Sequence, residues 1–216
     1  MTVILCSLVR KMKFSLPNLS SFFNRLRETK EITSALTFQK PQLTVMLGPP
    51  SSGKTALVNH ITQQKKNNDP RFHPININLR SVDMSSSYSF YNTILKQLTS
   101  FNWNMPSYLS SVDLKVGDMG ATANLKQSEI QLSQLLSAIE SRIKTDDIWH
   151  GARPVVFVVD EANELKYMKN QEDLRSFLKF CVRISKEESK CHVVFTSSDS
   201  FFESWLKTRN TNYYFF

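Results

Sequence analysis

Three nearly uninterrupted apolar runs stand out along this 216-residue chain. They are residues 43–47, 155–159 and 191–195, and none of them shows regular alternation with polar positions. Such runs are typical of strands that are buried on both faces of a parallel sheet. A fourth segment, residues 74–79, alternates with period two, which predicts a strand with one less buried face at the edge of the sheet.

Segments with helical spacing separate these strands, and alternating strands and helices favour parallel pairing with right-handed crossovers. The pattern therefore predicts one three-layer α/β domain whose functional groups lie at the carboxyl ends of the strands. The predicted helices cover about residues 20–36, 54–64, 87–99, 128–144 and 171–185, and a short sixth helix begins at about residue 201.

The domain is expected to cover residues 20–216, and residues 1–19 are expected to form a basic N-terminal arm. Residues 101–127 are the least regular stretch, and their glycines suit a small hairpin. We expect an insertion there, which is where the specificity for a partner would be expected.

The first apolar run leads directly into a glycine-rich loop. Residues 48–55 read Gly-Pro-Pro-Ser-Ser-Gly-Lys-Thr, which is the spacing of a phosphate-binding loop between a strand and a helix. In such a loop the backbone N–H groups bind phosphates, Lys54 reaches the β- and γ-phosphates, and the Thr55 hydroxyl can hold Mg²⁺. Gly48 and Gly53 occupy positions where a Cβ would obstruct the turn or the phosphate. The candidate nucleotide-binding residues are Gly48, Pro49, Pro50, Ser51, Ser52, Gly53, Lys54, Thr55 and Ala56.

Two acids, Asp160 and Glu161, follow the second apolar run. Asp160 can hold Mg²⁺ beside Thr55, while Glu161, which is turned differently, can polarise a water for attack on the γ-phosphate. The alternative is a strand that meets solvent and starts a helix with acidic residues. The phosphate-binding loop upstream favours the first interpretation.

The third apolar run ends in small hydroxyls, which could hydrogen-bond the γ-phosphate or the attacking water. Thr196 and Ser197 are therefore catalytic candidates beside Lys54 and Glu161. Serine and aspartate are also favoured helix N-caps, so this segment could instead start the following helix. Both interpretations can hold at once.

Together these motifs resemble the additional-strand, catalytic-glutamate division of P-loop NTPases, and within it AAA+/STAND-type ATPases, particularly the archaeal-type ATPase group. Residues 22–28 are similar to the F-x-x-R-x-x-E box that such proteins carry before the first strand. The resemblance implies ATP and Mg²⁺ as cofactors and the sheet order 5-1-4-3-2. It also implies that Phe22 and Arg25 lie beside the adenine.

In that family the core continues into a fifth strand and a helical lid, whereas this chain ends at residues 212–216. The resemblance therefore implies a shortened strand 5, no lid, and an incompletely covered flank on the loop strand. Arg209 lies where AAA+ proteins often keep an arginine that acts on a neighbouring subunit. An arginine that is favoured by the dipole at a helix C-terminus is the alternative.

The expected function is ATP hydrolysis that drives a conformational switch or a remodelling step, with a protein partner or self-association. The alternative is a nucleotide-dependent binding module with negligible hydrolysis, which could associate with nucleic acid. Specificity for GTP is disfavoured because no N-K-x-D motif follows the acidic strand.

The net charge of +8 raises the question of whether the protein binds nucleic acid. Scattered basic residues suit either a solvated basic surface or a nucleic-acid partner. No apolar stretch approaches the ~18 residues of a membrane-spanning helix. Three cysteines without metal-site spacing favour buried thiols in a reducing, cytoplasmic or nuclear compartment. Because the first 27 residues contain no acid, a mitochondrial transit peptide is the alternative to a basic arm.

Overall fold

The structure, a computed structural model, describes residues 2–5, 25–37, 40–66, 69–99, 132–141, 143 and 153–209, with the backbone alone at residues 2–5, 66, 69 and 99. Strands and helices alternate within these ranges, as the hydrophobic pattern predicts. Across them, no helix combines the length and the apolar character that a membrane span requires. The predicted insertion at 101–127 and the C-terminal segment 212–216 lie outside the described residues.

Five parallel strands form the central sheet. The three runs without alternation are buried strands in its middle, and the alternating segment is a strand at its edge, so both predictions are confirmed. A short antiparallel hairpin of β3 (Lys65–Lys66) and β4 (Asp69–Pro70) lies outside this sheet. The sheet strands are β1 (Thr2–Leu5), β2 (Leu43–Leu47), β5 (His73–Asn78), β6 (Val155–Asp160) and β7 (His192–Ser197), in the order β1-β2-β7-β6-β5.

The order β2-β7-β6-β5 matches the 1-4-3-2 part of the predicted order, but the position beside β2 differs from the prediction. It is occupied by β1, with Thr2 opposite Thr44 and Leu5 opposite Leu47. The expectation of an incompletely covered flank on β2 is therefore wrong. The residues of β1 are β-branched or apolar and suit a strand. A run of only four such residues does not distinguish a strand of the sheet from part of a basic arm.

Helices cover both faces of the sheet, because successive side chains of a strand point to opposite faces. Met46, Val156 and Val194 belong to the hydrophobic cluster with α1 (Leu26–Thr37) and α2 (Lys54–Thr62). Val45, Phe157 and Phe195 belong to the larger cluster on the opposite face. That cluster includes α3 (Ser87–Thr99), α4 (132–141), α5 (Gln171–Val182) and α6 (Phe202–Arg209).

Two cysteines are buried thiols, as expected. Cys181 and Cys191 both lie in the larger hydrophobic cluster, and burial raises the pKa of each thiol. Cys6 lies outside the described residues. Both buried thiols are therefore protonated and serve as small apolar side chains.

Candidate functional site

The loop between β2 and α2 has a backbone that is suited to binding an anion. Ser51 and Gly53 both adopt left-handed conformations, with φ of 59° and 78°. Left-handed residues beside right-handed ones turn successive N–H groups toward a common concave side. Gly53, immediately before the helix, adopts this φ without the steric cost that Ser51 carries.

Helix α2 begins without a capping side chain. Its N-cap residue is Gly53, and the first helical hydrogen bond at this end joins the Leu57 N–H to the Gly53 carbonyl at 2.9 Å. The N–H groups of residues 54–56 precede that bond and have no acceptor within the helix. Together with the positive end of the helix dipole, they suit the binding of an anion such as a phosphate.

Lys54 lies within this loop. Its side-chain Nζ donates to the carbonyl oxygens of Gly48 and Pro49, at 2.8 and 3.0 Å. The residue is buried, so the loop surrounds its ammonium group. A phosphate that enters the loop therefore contacts an ammonium group that the loop carbonyls already hold in place.

Asp160 is a buried carboxylate at the end of β6, and side chains from three other segments donate to it. The Thr55 hydroxyl lies 2.9 Å from both carboxylate oxygens, and the Asn78 amide lies 3.2 Å from Oδ2. The Thr196 hydroxyl also donates to Oδ1. The two predicted metal ligands, Thr55 and Asp160, are therefore in direct contact.

Glu161 turns away from the strand that Asp160 ends. Its φ of 54° and ψ of 45° are left-handed, which is uncommon for a residue with a side chain and is typical of functional sites. Its Oε1 accepts from Arg80 Nη2 at 2.7 Å, and its Oε2 accepts from the Ser198 hydroxyl at 3.3 Å. The Glu161 carboxylate raises the pKa of Arg80 through the hydrogen bond and its charge, so the contact is ionic.

The hydroxyls at the end of β7 divide between the site and the following turn. Thr196 is fully buried, and it also accepts from the Glu161 backbone N–H at 3.3 Å. Ser197 is fully buried as well and accepts from the Asp199 N–H at 3.1 Å. Asp199 in turn accepts from the Phe201 N–H at 2.8 Å, just before α6. The helix-start interpretation therefore describes Ser197 and Asp199, and the γ-phosphate contact of Thr196 and Ser197 stays a prediction.

Arg25 lies beside the phosphate-binding loop. Its guanidinium Nη1 donates to the Ser52 carbonyl at 2.8 Å, and its Nη2 lies 3.4 Å from Glu28. Phe22 lies outside the described residues, so the adenine contact of both residues stays a prediction. Arg209 lies in the last turn of α6, and its guanidinium donates to the Gln171 side chain at 3.1 Å. This position fits the helix-terminus alternative.

Four further residues that contact the candidate site were not among the predicted site residues. Each follows or ends a strand, or lies in the 3₁₀ helix Ala162–Tyr167 after β6, so the rule that sites form at the carboxyl ends of strands is the signal that could have found them. Asn163 accepts from the backbone N–H of Ser198 at 3.2 Å and so fixes the turn after β7. The four residues are Asn78, Arg80, Asn163 and Ser198.

Similar sequences support a family assignment. An uncharacterized ATP-binding protein of Methanocaldococcus jannaschii is 31% identical over 205 residues, covering 87% of this chain and 55% of that protein. A second such protein of the same organism is 26% identical over 201 residues, covering 84% and 54%. The chain thus spans about half the length of the curated relatives it matches.

The fold has a match among solved structures. A Walker-type ATPase of Pyrococcus abyssi aligns with a TM-score of 0.51 at 14% identity, covering 86% of this chain and 48% of that one. This similarity shows a shared α/β fold. The family model described as the ATPase domain predominantly from Archaea matches residues 22–214. The chain belongs to this family of ATPase domains.

Proposed function

We propose that this protein binds ATP with Mg²⁺ and hydrolyses the β–γ phosphoanhydride, and that the cycle drives a conformational switch or a remodelling step. The observation that carries the proposal is the meeting of four features at one edge of the sheet. These are the loop with its N–H groups, Lys54, the contact between Thr55 and Asp160, and the left-handed Glu161.

The loop would bind the phosphates of the nucleotide. The N–H groups at the start of α2 need acceptors, and Lys54 can exchange the carbonyls of Gly48 and Pro49 for phosphate oxygens. The relatives that are named ATP-binding proteins support ATP as the ligand. Phe22 and Arg25 remain the proposed residues on the adenine side.

The residues beside the loop fit Mg²⁺. Hard cations prefer oxygen ligands, and the Thr55 hydroxyl and the Asp160 carboxylate bring such oxygens together at 2.9 Å. Asp160 is buried, and a buried carboxylate needs compensating donors or a cation. When bound, Mg²⁺ would neutralise charge on the β- and γ-phosphates.

Glu161 is the proposed general base. As an attacking water forms a bond to the γ-phosphorus, a Glu161 carboxylate oxygen takes one water proton, and the bond to the leaving ADP breaks. Its left-handed backbone turns it away from the strand direction of Asp160. The two adjacent acids can therefore serve different roles.

Arg80 and Ser198 are proposed as positioning residues for that base. Arg80 contacts Oε1 of Glu161, and Ser198 contacts Oε2. Ser198 also adjoins Asp199, which forms an ion pair with Lys166 and accepts from the Phe201 N–H just before α6. A change in the contacts of Glu161 could therefore reach α6, and this supports the proposed switch.

A nucleotide-dependent binding module with negligible hydrolysis is the second candidate. It is favoured by the engagement of both Glu161 oxygens, because a carboxylate held by Arg80 and Ser198 is less available to a water. The two candidates share the nucleotide-binding step. They differ only in turnover.

Calorimetric titration of the purified chain with ATP, with and without Mg²⁺, tests the shared step. Lys54→Ala removes a charge-assisted contact worth about 1.5–3 kcal/mol, so ATP binding should weaken about ten- to a hundredfold. Lys179→Ala, on the exposed side of α5, is the matched control and should bind normally. Equal affinity in both variants would refute nucleotide binding through this loop.

A further inference from the structure

An open groove lies between α1 and the segment after α2, and the nucleotide site does not use it. It has a volume of about 420 Å³ and is lined by α1 side chains together with Gln64 and Arg71. Arg71 and Lys30 supply two cations, and no acid is among the described residues that line the groove. Four hydroxyls complete the lining, from Thr29, Thr33, Ser34 and Thr37.

The hydroxyl lining includes an unused hydrogen-bonding group. The side-chain oxygen of Thr33 is buried and has no hydrogen-bond partner in the part of the chain that the structure describes. A buried hydroxyl without a partner costs free energy. The Thr37 hydroxyl donates to the carbonyls of Thr33 and Ser34, so the donors that suit the oxygens of a phosphate beside Lys30 and Arg71 are the hydroxyls of Thr29 and Ser34.

The groove adjoins a row of basic residues at the amino end of the sheet, opposite the nucleotide edge. A cation precedes each of the four strands β2, β5, β6 and β7 by two or three residues, and no acid lies between that cation and its strand. The pKa of His73 is lowered by burial and then by the charge of Arg153, so the cation that precedes β6 acts on the first residue of the neighbouring strand β5. The row consists of Lys40, Arg71, Arg153 and Lys190.

The row and the groove form one surface because Arg71 belongs to both. Neighbouring strands lie about 4.8 Å apart, so the four cations spread over about 14 Å. Lys65, which is exposed, follows Gln64 of the groove. Among nearby acids, Glu31 pairs with Arg27 at 2.8 Å, and Glu188 lies 3.9 Å from Arg183, whereas Glu187 is an exposed acid three residues before Lys190. The row thus places one cation at the start of each of four strands.

We propose that this surface, which we call the basic rim, binds the phosphodiester backbone of a nucleic acid. A line of cations matches the repeated phosphates of a nucleic acid better than it matches a single anion. Release of the counterions that these phosphates hold supplies the affinity. The groove between α1 and Arg71 would receive one phosphate through Lys30 and the hydroxyls. Because the rim lies at the opposite edge from Lys54 and Glu161, its binding does not rest on the proposed ATP hydrolysis.

Fluorescence anisotropy with a labelled oligothymidylate of about 20 nucleotides, without ATP, tests the proposal. Lys30→Gln/Arg71→Gln should weaken binding about tenfold and reduce the slope of log K against log salt by about 1.4. Lys30→Gln/Lys65→Gln, which changes two exposed side chains, serves as a second variant if replacing Arg71 impairs folding. The matched control is Arg175→Gln/Lys179→Gln, which removes the same charge from exposed positions of α5 on the other face of the sheet.

The proposal predicts weaker binding for the rim variants alone, with ATP affinity unchanged in all of them. An equal loss in the α5 control would mean that net charge, and not the rim, attracts the oligonucleotide, and would overturn the proposal. Poly-glutamate that competes as well as the oligonucleotide at equal charge would overturn the choice of nucleic acid. Inorganic phosphate that displaces the oligonucleotide at constant ionic strength would instead indicate a site for a free anion.

Discussion

Replacing Thr196 with valine removes one hydroxyl from the base of the site and keeps the shape of the side chain. The residue is fully buried on β7, where it donates to Asp160 and accepts from the Glu161 backbone N–H at 3.3 Å. Valine can do neither. The change therefore removes one donor from a buried carboxylate and leaves one backbone N–H without its acceptor.

The expected cost follows from these two losses. A hydrogen bond to a charged group contributes about 1.5–3 kcal/mol, and an unsatisfied buried N–H costs about 1–3 kcal/mol. Because the added methyl group recovers part of this, we expect the free energy of unfolding to fall by about 2–5 kcal/mol. For a domain of this size, that corresponds to a Tm decrease on the order of 10 °C.

Thr44→Val is the matched control on the neighbouring strand β2. Thr44 is also buried, but its hydroxyl has no hydrogen-bond partner in the described ranges. Removing an unsatisfied hydroxyl should leave the Tm unchanged or raise it. Thr196→Ser keeps the hydroxyl and should recover most of the stability that valine loses.

Thermal unfolding followed by circular dichroism measures all three variants under one condition. We expect a large decrease in Tm for Thr196→Val and none for Thr44→Val. If both valine variants unfold at the same temperature, the hydrogen bonds of Thr196 do not hold the two acids, and the reasoning is refuted.

Three further predictions concern Mg²⁺, pH and a helix cap. Asp160→Asn should make ATP affinity insensitive to Mg²⁺, because an amide is a weaker ligand for a hard cation than a carboxylate. Calorimetry of ATP binding with and without Mg²⁺ checks this, and a Mg²⁺ effect as large as in the wild type would contradict it. Burial and the charge of Arg153 lower the pKa of His73 below 6.5, so its contribution to stability is fully present above pH 6.5 and is lost as pH falls through the folded-state pKa. Thermal unfolding at about pH 7.5 and about pH 5.5 should therefore show a smaller acid-induced decrease for His73→Gln than for the wild type, and equal decreases would count against this. Asn170 accepts from two N–H groups at the start of α5, so Asn170→Ala should destabilise the fold by about 1 kcal/mol in urea unfolding, and a stability equal to the wild type would show that the cap is dispensable.

The buried strands and the phosphate-binding loop could be predicted because their signals are local. β6 and β7 are continuous apolar runs, and a continuous run indicates burial on both faces. Lys54 and Gly53 occur at fixed spacing within one turn, and the φ of Gly53 is the one that this turn needs. The position of Asp160 beside Thr55 follows from parallel strands that end at one edge.

Other parts depend on contacts between distant segments. Arg80 and Glu161 are 81 positions apart, and no local pattern joins them before the sheet places β5 beside β6. The box around Arg25 indicated the nucleotide site, but its hydrogen bond to Ser52 depends on how α1 lies against the loop. β1 pairs with β2 through backbone groups, which four residues of sequence do not specify.

The proposed function depends on Glu161 acting as the base in ATP hydrolysis. Its most direct test is steady-state release of phosphate from ATP with Mg²⁺ by the wild type, Glu161→Gln and the control Glu172→Gln, which changes an exposed acid of α5. Glutamine keeps the shape but cannot take the proton, so turnover should fall roughly 10²–10⁴-fold in Glu161→Gln, with ATP affinity nearly kept and the control unaffected. Turnover of Glu161→Gln equal to the wild type, or a wild type that binds ATP without hydrolysing it, would contradict the claim.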